Sequence, residues 1–78
     1  MKDTAKKFNE LSLVKQAELV HRYGKWIWFT DYNEFRISVF EIEGEITEVW
    51  YHVYQRCVWR IRIPNYSELD IHLHGIEV

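Results

Sequence analysis

The spacing of apolar and polar positions changes once along this chain, near residue 24. From Leu13 to Tyr23 the apolar residues Leu13, Ala17 and Val20 recur at intervals of four and three, which puts them on one face of a helix. Ser12 stands where an N-cap belongs, although Lys15 occupies the position at which a capping box carries Glu. Gly24 follows the last periodic residue and reads as a C′ glycine. Ahead of this helix, residues 3–11 predict a short helical turn, capped by Asp3 or Thr4, with Ala5, Phe8 and Leu11 at spacings of three.

Beyond Gly24 the period is two. Four strands are expected, at 25–30, 35–42, 46–54 and 57–63. The breaks are Asp31-Tyr32-Asn33-Glu34, Glu43-Gly44-Glu45 and Gln55-Arg56. Connections this short join only antiparallel neighbours, so the sheet should be a meander. Pro64 ends the fourth strand because it brings no N–H to a ladder. Over Ser67-Glu68-Leu69-Asp70 two patterns compete. A short helix ending before Gly75 is preferred. The alternation of Leu69, Ile71 and Leu73 with Asp70, His72 and His74 would instead make a strand. The expected fold is one α+β domain over residues 1–78: an N-terminal helix packed on a four-stranded antiparallel meander sheet, with a short C-terminal helix (or fifth strand).

Strict alternation assigns each strand residue to a face. Face A receives Trp26, Trp28 and Thr30, then Phe35, Ile37, Val39 and Glu41, then Glu48, Trp50, His52 and Tyr54, and last Cys57, Trp59, Ile61 and Ile63. All four tryptophans fall together there, and the long helix should lie over them. Face B receives Ile27, Phe29, Arg36, Ser38, Phe40, Ile42, Thr47, Val49, Tyr51, Val53, Val58, Arg60 and Arg62. That face is too apolar for water. Either residues 66–78, with Tyr66, Leu69, Ile71, Leu73, Ile76 and Val78, fold across it, or a second molecule covers it. The candidate interface is Phe29, Arg36, Phe40, Ile42, Val49, Tyr51, Val53, Arg60 and Arg62.

Composition sharpens this picture. A chain of 78 residues buries only about 60% of its unfolded surface, so it needs a dense core. An aromatic content of 17%, with four Trp and five Tyr, fits that need. The net charge of −2 argues against a dedicated nucleic-acid binder. Residues 1–25 carry six Lys/Arg against three Asp/Glu, whereas residues 26–78 carry four against nine. Opposite signs on two segments of one domain suit mutual attraction better than a single polyanionic partner. Cys57 is the only cysteine, so an intrachain disulfide is not possible. Residues 1–20 hold no apolar signal region, and the longest apolar run is Trp26-Ile27-Trp28-Phe29, far short of a membrane span. The cytoplasm is the expected compartment.

Four constellations could carry chemistry, and each has an ordinary counterpart. His72 and His74, with Asp70, would share a face and could chelate a metal ion on a strand, but a helix splits the two imidazoles. His52 near Glu48 and Cys57 could suggest Cys–His chemistry, yet no orienting or oxyanion motif accompanies it, so a hydrogen-bonded His at the core rim is preferred. Arg36, Arg60 and Arg62 among Phe29, Phe40 and Tyr51 resemble a stacking surface for single-stranded nucleic acid. They equally suit the rim of a protein interface, which the acidic balance favours. Glu41, Glu43, Glu45 and Glu48 around Gly44 make a solvated hairpin tip rather than a calcium loop.

The run Phe8-Asn9-Glu10-Leu11-Ser12-Leu13, then Ala17-Glu18-Leu19, Tyr23-Gly24 and Glu48-Val49-Trp50-Tyr51, resembles a family of short uncharacterised bacterial proteins. Those share its length and its helix-then-strands order. The resemblance covers residues 8–54, and the chain departs from it after Tyr51. It implies the architecture and no activity. The expectation is a non-catalytic interaction module without metal or cofactor. It would form a homodimer or bind a protein partner through face B, with single-stranded nucleic acid as the alternative ligand and no membrane contact.

Overall fold

The computed structural model describes residues 2–64. Helices α1 (Lys2–Asn9) and α2 (Leu13–Tyr23) precede strands β1 (Lys25–Tyr32), β2 (Phe35–Ile42), β3 (Glu45–His52) and β4 (Cys57–Arg62). The strands form one antiparallel meander in the order β1-β2-β3-β4. The α+β architecture is therefore the expected one. The C-terminal helix or strand, with Asp70, His72 and His74, lies outside the described residues.

Local chemistry accounts for most boundaries. The Ser12 hydroxyl accepts from the Lys15 N–H at 3.2 Å, so Ser12 caps α2 as expected. Helix α1 begins at Lys2, which puts Asp3 and Thr4 inside its first turn rather than ahead of it. Gly24 is not a left-handed C′ residue, because its backbone is extended at φ −75° and ψ 137°. Glycine is needed there for room: a Cβ would sit 2.5 Å from the Val20 carbonyl oxygen and 3.2 Å from Cδ2 of Phe40. The β2–β3 turn uses Glu43 at φ 50° and Gly44 at φ 81°, two positive values in succession, as a two-residue hairpin requires. Strand β3 ends at His52, so Val53 and Tyr54 belong to the turn before β4 and not to the strand.

Two irregularities decide what the sheet presents. Ile27 is an extra residue between Trp26 and Trp28 opposite β2. Trp59 is an extra residue opposite β3, because Trp50 pairs with Arg60 while Tyr51 pairs with Val58. Each bulge reverses the alternation beyond it. Trp26 therefore pairs with Phe40 on face B. Ile61 pairs with Val49 on face B, while Arg60 and Arg62 pair with Trp50 and Glu48 on face A.

The helices lie on face B. Phe8 and Val20 bury themselves against Ile42, Ile61 and Ile63, with Phe40, Val49 and Val58 packed alongside. Thr47 is wholly buried beneath them. This corrects the expectation that the long helix covers the tryptophans of face A. Parity alone put Ile61 and Ile63 on the wrong side, and with them face B becomes the more apolar surface. The stripe of α2 is corrected as well. Leu13 and Ala17 are exposed, and Gln16 is buried with Val20. A polar residue can take the inner position because its amide donates to the Phe8 carbonyl at 2.9 Å, an oxygen near the end of α1 that also accepts the Leu11 N–H at 3.1 Å.

A side-chain amide ties the two ends of the described chain together. Asn9 Nδ2 donates to the Ile63 carbonyl at 2.9 Å, and the Ile63 N–H donates back to Asn9 Oδ1 at 2.8 Å. Asn9 thus bonds to Ile63 as a neighbouring strand would, just past β4.

Candidate interaction surface

Face A carries the candidate surface, because among the described residues neither helix packs on it. The register runs across all four strands. One row is Trp28, Val39, Glu48 and Arg62; the next is Thr30, Ile37, Trp50 and Arg60; the third is Tyr32, Phe35, His52 and Cys57. Trp59, the extra residue of β4, projects to the same side: its ring centroid lies 5.1 Å from that of Phe35 and 4.9 Å from the imidazole of His52, stacked on the latter at 21°.

The rings form a connected cluster of edge-on contacts. Phe35 meets Trp50 at 5.5 Å and His52 at 5.2 Å, and Tyr32 meets Trp50 at 6.3 Å. Edge-to-face geometry at these separations adds about 0.5–1.5 kcal/mol per pair beyond area burial. Two indole N–H groups are satisfied within the cluster. Trp50 Nε1 donates to Glu48 Oε1 at 3.0 Å, and Trp59 Nε1 donates to Gln55 Oε1 at 2.9 Å. Arg62 Nε donates to the same Glu48 oxygen at 3.1 Å, in a pair of which each side chain is less than a fifth exposed.

His52 is held by structure on several sides. It is buried, its Nδ1 accepts the Gln55 N–H at 3.0 Å, and Trp59 and Tyr54 close over it. Cys57 is opposite His52 in the register and is exposed. The outward side of the cluster remains open, with Trp28 53% and Trp59 51% exposed and Ile46 in the open as well.

The nine residues expected to form an interface are not brought together. Phe40, Ile42 and Val49 lie under the helices as core. Arg60 and Arg62 stand on the opposite face, moved by the Trp59 bulge. Val53 sits in the β3–β4 turn, where its N–H donates to the Glu34 carbonyl at 2.9 Å. Phe29, Arg36 and Tyr51 do share face B, at a corner the helices leave open. There the Arg36 guanidinium lies 4.2 Å above the Phe29 ring and bonds Asp31 at 2.9 Å. The hydrogen bond from Arg36 holds the Asp31 carboxyl below the ordinary carboxylate range, and Asp31 raises Arg36 in turn. Any stability from that exposed pair is present above the ordinary carboxylate pKa and fades as pH falls through the lowered one.

Residues missed as surface are Trp28, Tyr32, Phe35, Trp50 and Trp59. Alternation gives no signal for them, because it places Arg60 and Arg62 with Arg36 on face B and so makes that face the more polar one. Among the described residues no three His, Cys, Asp or Glu side chains gather as a metal site would need, and no helix is long and apolar enough to cross a membrane. Neither a family model, a curated protein nor a solved structure matches the chain, so the roles of these residues rest on their geometry alone.

Proposed function

We propose that this protein is a non-catalytic interaction module that self-associates through the open aromatic face of its sheet. The observation that carries this reading is the half-exposed pair Trp28 and Trp59 on a face that already satisfies the indole N–H groups of Trp50 and Trp59. What the clustered rings offer outward is mainly carbon, which suits a protein surface better than a hydrogen-bonding small ligand. Aromatic anchors with arginine at the margin are the composition of interface centres. A twofold contact needs one self-complementary patch, and a sheet face can supply it.

Sedimentation equilibrium tests the reading. The expected species at tens of micromolar is a dimer of the 9.6 kDa chain. Trp28→Glu should weaken it by about thirtyfold or more, as loss of an aromatic anchor does. A monomer throughout that range would overturn the reading.

One observation favours single-stranded nucleic acid as the second reading. The Trp59 bulge brings Arg60 onto the aromatic face, in register with Trp50. Stacking rings beside a cation are what unpaired bases engage. The carboxylates Glu41 and Glu48 on the same face, and a pI near 6.0, weigh against it. Binding of oligo-dT that falls steeply with salt, and that Arg60→Ala weakens, would put this reading first.

A further inference from the structure

The turn between β3 and β4 is held by a side chain that can take up a proton. His52 closes β3. Its Nδ1 accepts the Gln55 N–H at 3.0 Å, and its carbonyl accepts the Arg56 N–H at 2.8 Å. Gln55 in turn anchors Trp59, whose Nε1 donates to the Gln55 side-chain oxygen at 2.9 Å. Trp59 then stacks back on the imidazole, with ring centroids 4.9 Å apart. The three residues close a triangle, and one corner of it, Trp59, stands half-exposed on the aromatic face while His52 is buried.

An imidazole nitrogen accepts a hydrogen bond only while it carries no proton. His52 is therefore neutral here, with its proton on Nε2. The imidazolium has a donor at both nitrogens, so its Nδ1–H would face the Gln55 N–H across the same 3.0 Å. Turning the ring over does not repair the contact, because that sets a C–H against the donor. In either orientation the Gln55 amide loses its acceptor. Among the described residues nothing is offered in exchange. Strand β2 presents Phe35 edge-on, β1 places Tyr32 in the same row, the turn adds Tyr54, and β4 sets Cys57 opposite. Glu34 and Arg56 stand in the adjoining turns, and neither forms an ion pair with the ring. The face of the Trp59 indole attracts a cation. Yet that indole already stacks on the neutral ring, and its own anchor is the Gln55 side chain that the broken bond sets loose.

We propose that His52 is a pH switch for the aromatic face. Protonation unhooks Gln55, Trp59 leaves its place over the imidazole, and the surface that receives a second copy of the chain is lost. The effect on assembly rests on the self-association reading above, whereas the switch itself is a property of the single chain. Association is strongest while His52 is neutral and falls as it charges.

An NMR titration of the full chain in dilute samples, from about pH 8 to about pH 5, covers the span in which histidines gain a proton and tests the switch. The Gln55 amide and the Trp59 indole N–H signals should move in step with those of the His52 ring. The indole N–H of Trp50, held by Glu48 Oε1, should stay in place. Sedimentation over the same range should show association about three- to tenfold weaker once His52 is charged. His52→Asn sets an amide oxygen in place of Nδ1 and cannot charge, so its association should lose that pH dependence although His21, His72 and His74 remain. A Trp59 signal that stays still as His52 titrates, or a dimer that does not weaken, would overturn the switch and leave the self-association reading intact. Signals that move together in a chain monomeric at every pH and concentration would uphold the switch and remove the self-association reading. Movement of all four indole signals at once, with loss of dispersion, would also overturn the switch, because acid would then be unfolding the domain.

Discussion

Phe8→Ala is expected to lower the unfolding free energy by about 3–5 kcal/mol, the usual range for emptying a buried phenylalanine site. Phe8 is 6% exposed and is the side chain by which α1 enters the core. An eight-residue helix is too short to persist by itself in water, so α1 exists because Phe8 and Asn9 hold it. Removing the ring leaves a cavity among Val20, Ile42, Ile61 and Ile63 and loosens the helix that shields the last two. A domain of this size holds only about 4–12 kcal/mol in total. Urea unfolding should therefore show a large drop in midpoint. Leu11→Ala, at a side chain 38% exposed, is the matched control and should cost less than about 1 kcal/mol. Equal effects at the two positions would contradict the packing of α1 described above.

Gly24→Val is expected to destabilise by about 1–3 kcal/mol through overpacking. The backbone alone forecasts the opposite sign. At φ −75° and ψ 137° any residue is comfortable, and replacing glycine there normally stabilises by about 0.4–1 kcal/mol through the unfolded chain. Space decides the matter. The new Cβ would meet the Val20 carbonyl at 2.5 Å and the Phe40 ring at 3.2 Å, and the carbonyl belongs to the last turn of α2 and also accepts the Gly24 N–H at 2.8 Å. Either the helix end or β1 must shift. Gly24→Ala should show the same sign with a smaller amplitude. Thermal unfolding of the two variants beside the parent measures it, and a rise in midpoint for the alanine variant would mean that the helix end yields without cost.

Much of this architecture can be read from the sequence, and what escapes it has a specific cause. The Ser12 cap, the presence of three short connections between strands and the change of period near Gly24 are local signals, legible because each depends on a few neighbouring residues, although the lengths of the connections differ from those expected. Facial assignment is not local. It accumulates along a strand, so a single extra residue inverts everything after it. Strand β2 and the regular part of β3 follow alternation, whereas Trp26 in β1 and Arg60, Ile61 and Arg62 in β4 stand on the reversed side because of Ile27 and Trp59. Nothing in the one-dimensional pattern marks either bulge, since both residues are good strand formers with no glycine beside them. The candidate surface inherited that error: three of its nine residues became core, and the rings that do stand open were expected under the helix. Gln16 shows a second limit. A search for apolar spacing passes over a buried amide, whose place is set by a carbonyl on another helix.

The bond between Asn9 and Ile63 has a consequence for the order of events in folding. Each hairpin of the meander closes over a turn of two to four residues, so its pairing is local and fast to find. Asn9 and Ile63 are 54 residues apart, and the long loop between them is costly to close before the sheet exists. The sheet therefore assembles first, and the N-terminal helix latches onto its last strand late, on the native side of the barrier. A latch of that kind governs escape rather than arrival. In stopped-flow experiments Asn9→Ala should leave the refolding rate nearly unchanged and speed unfolding by about three- to tenfold. The helix that α1 supplies is then a timer on the folded state, setting how long a molecule stays closed once it has formed.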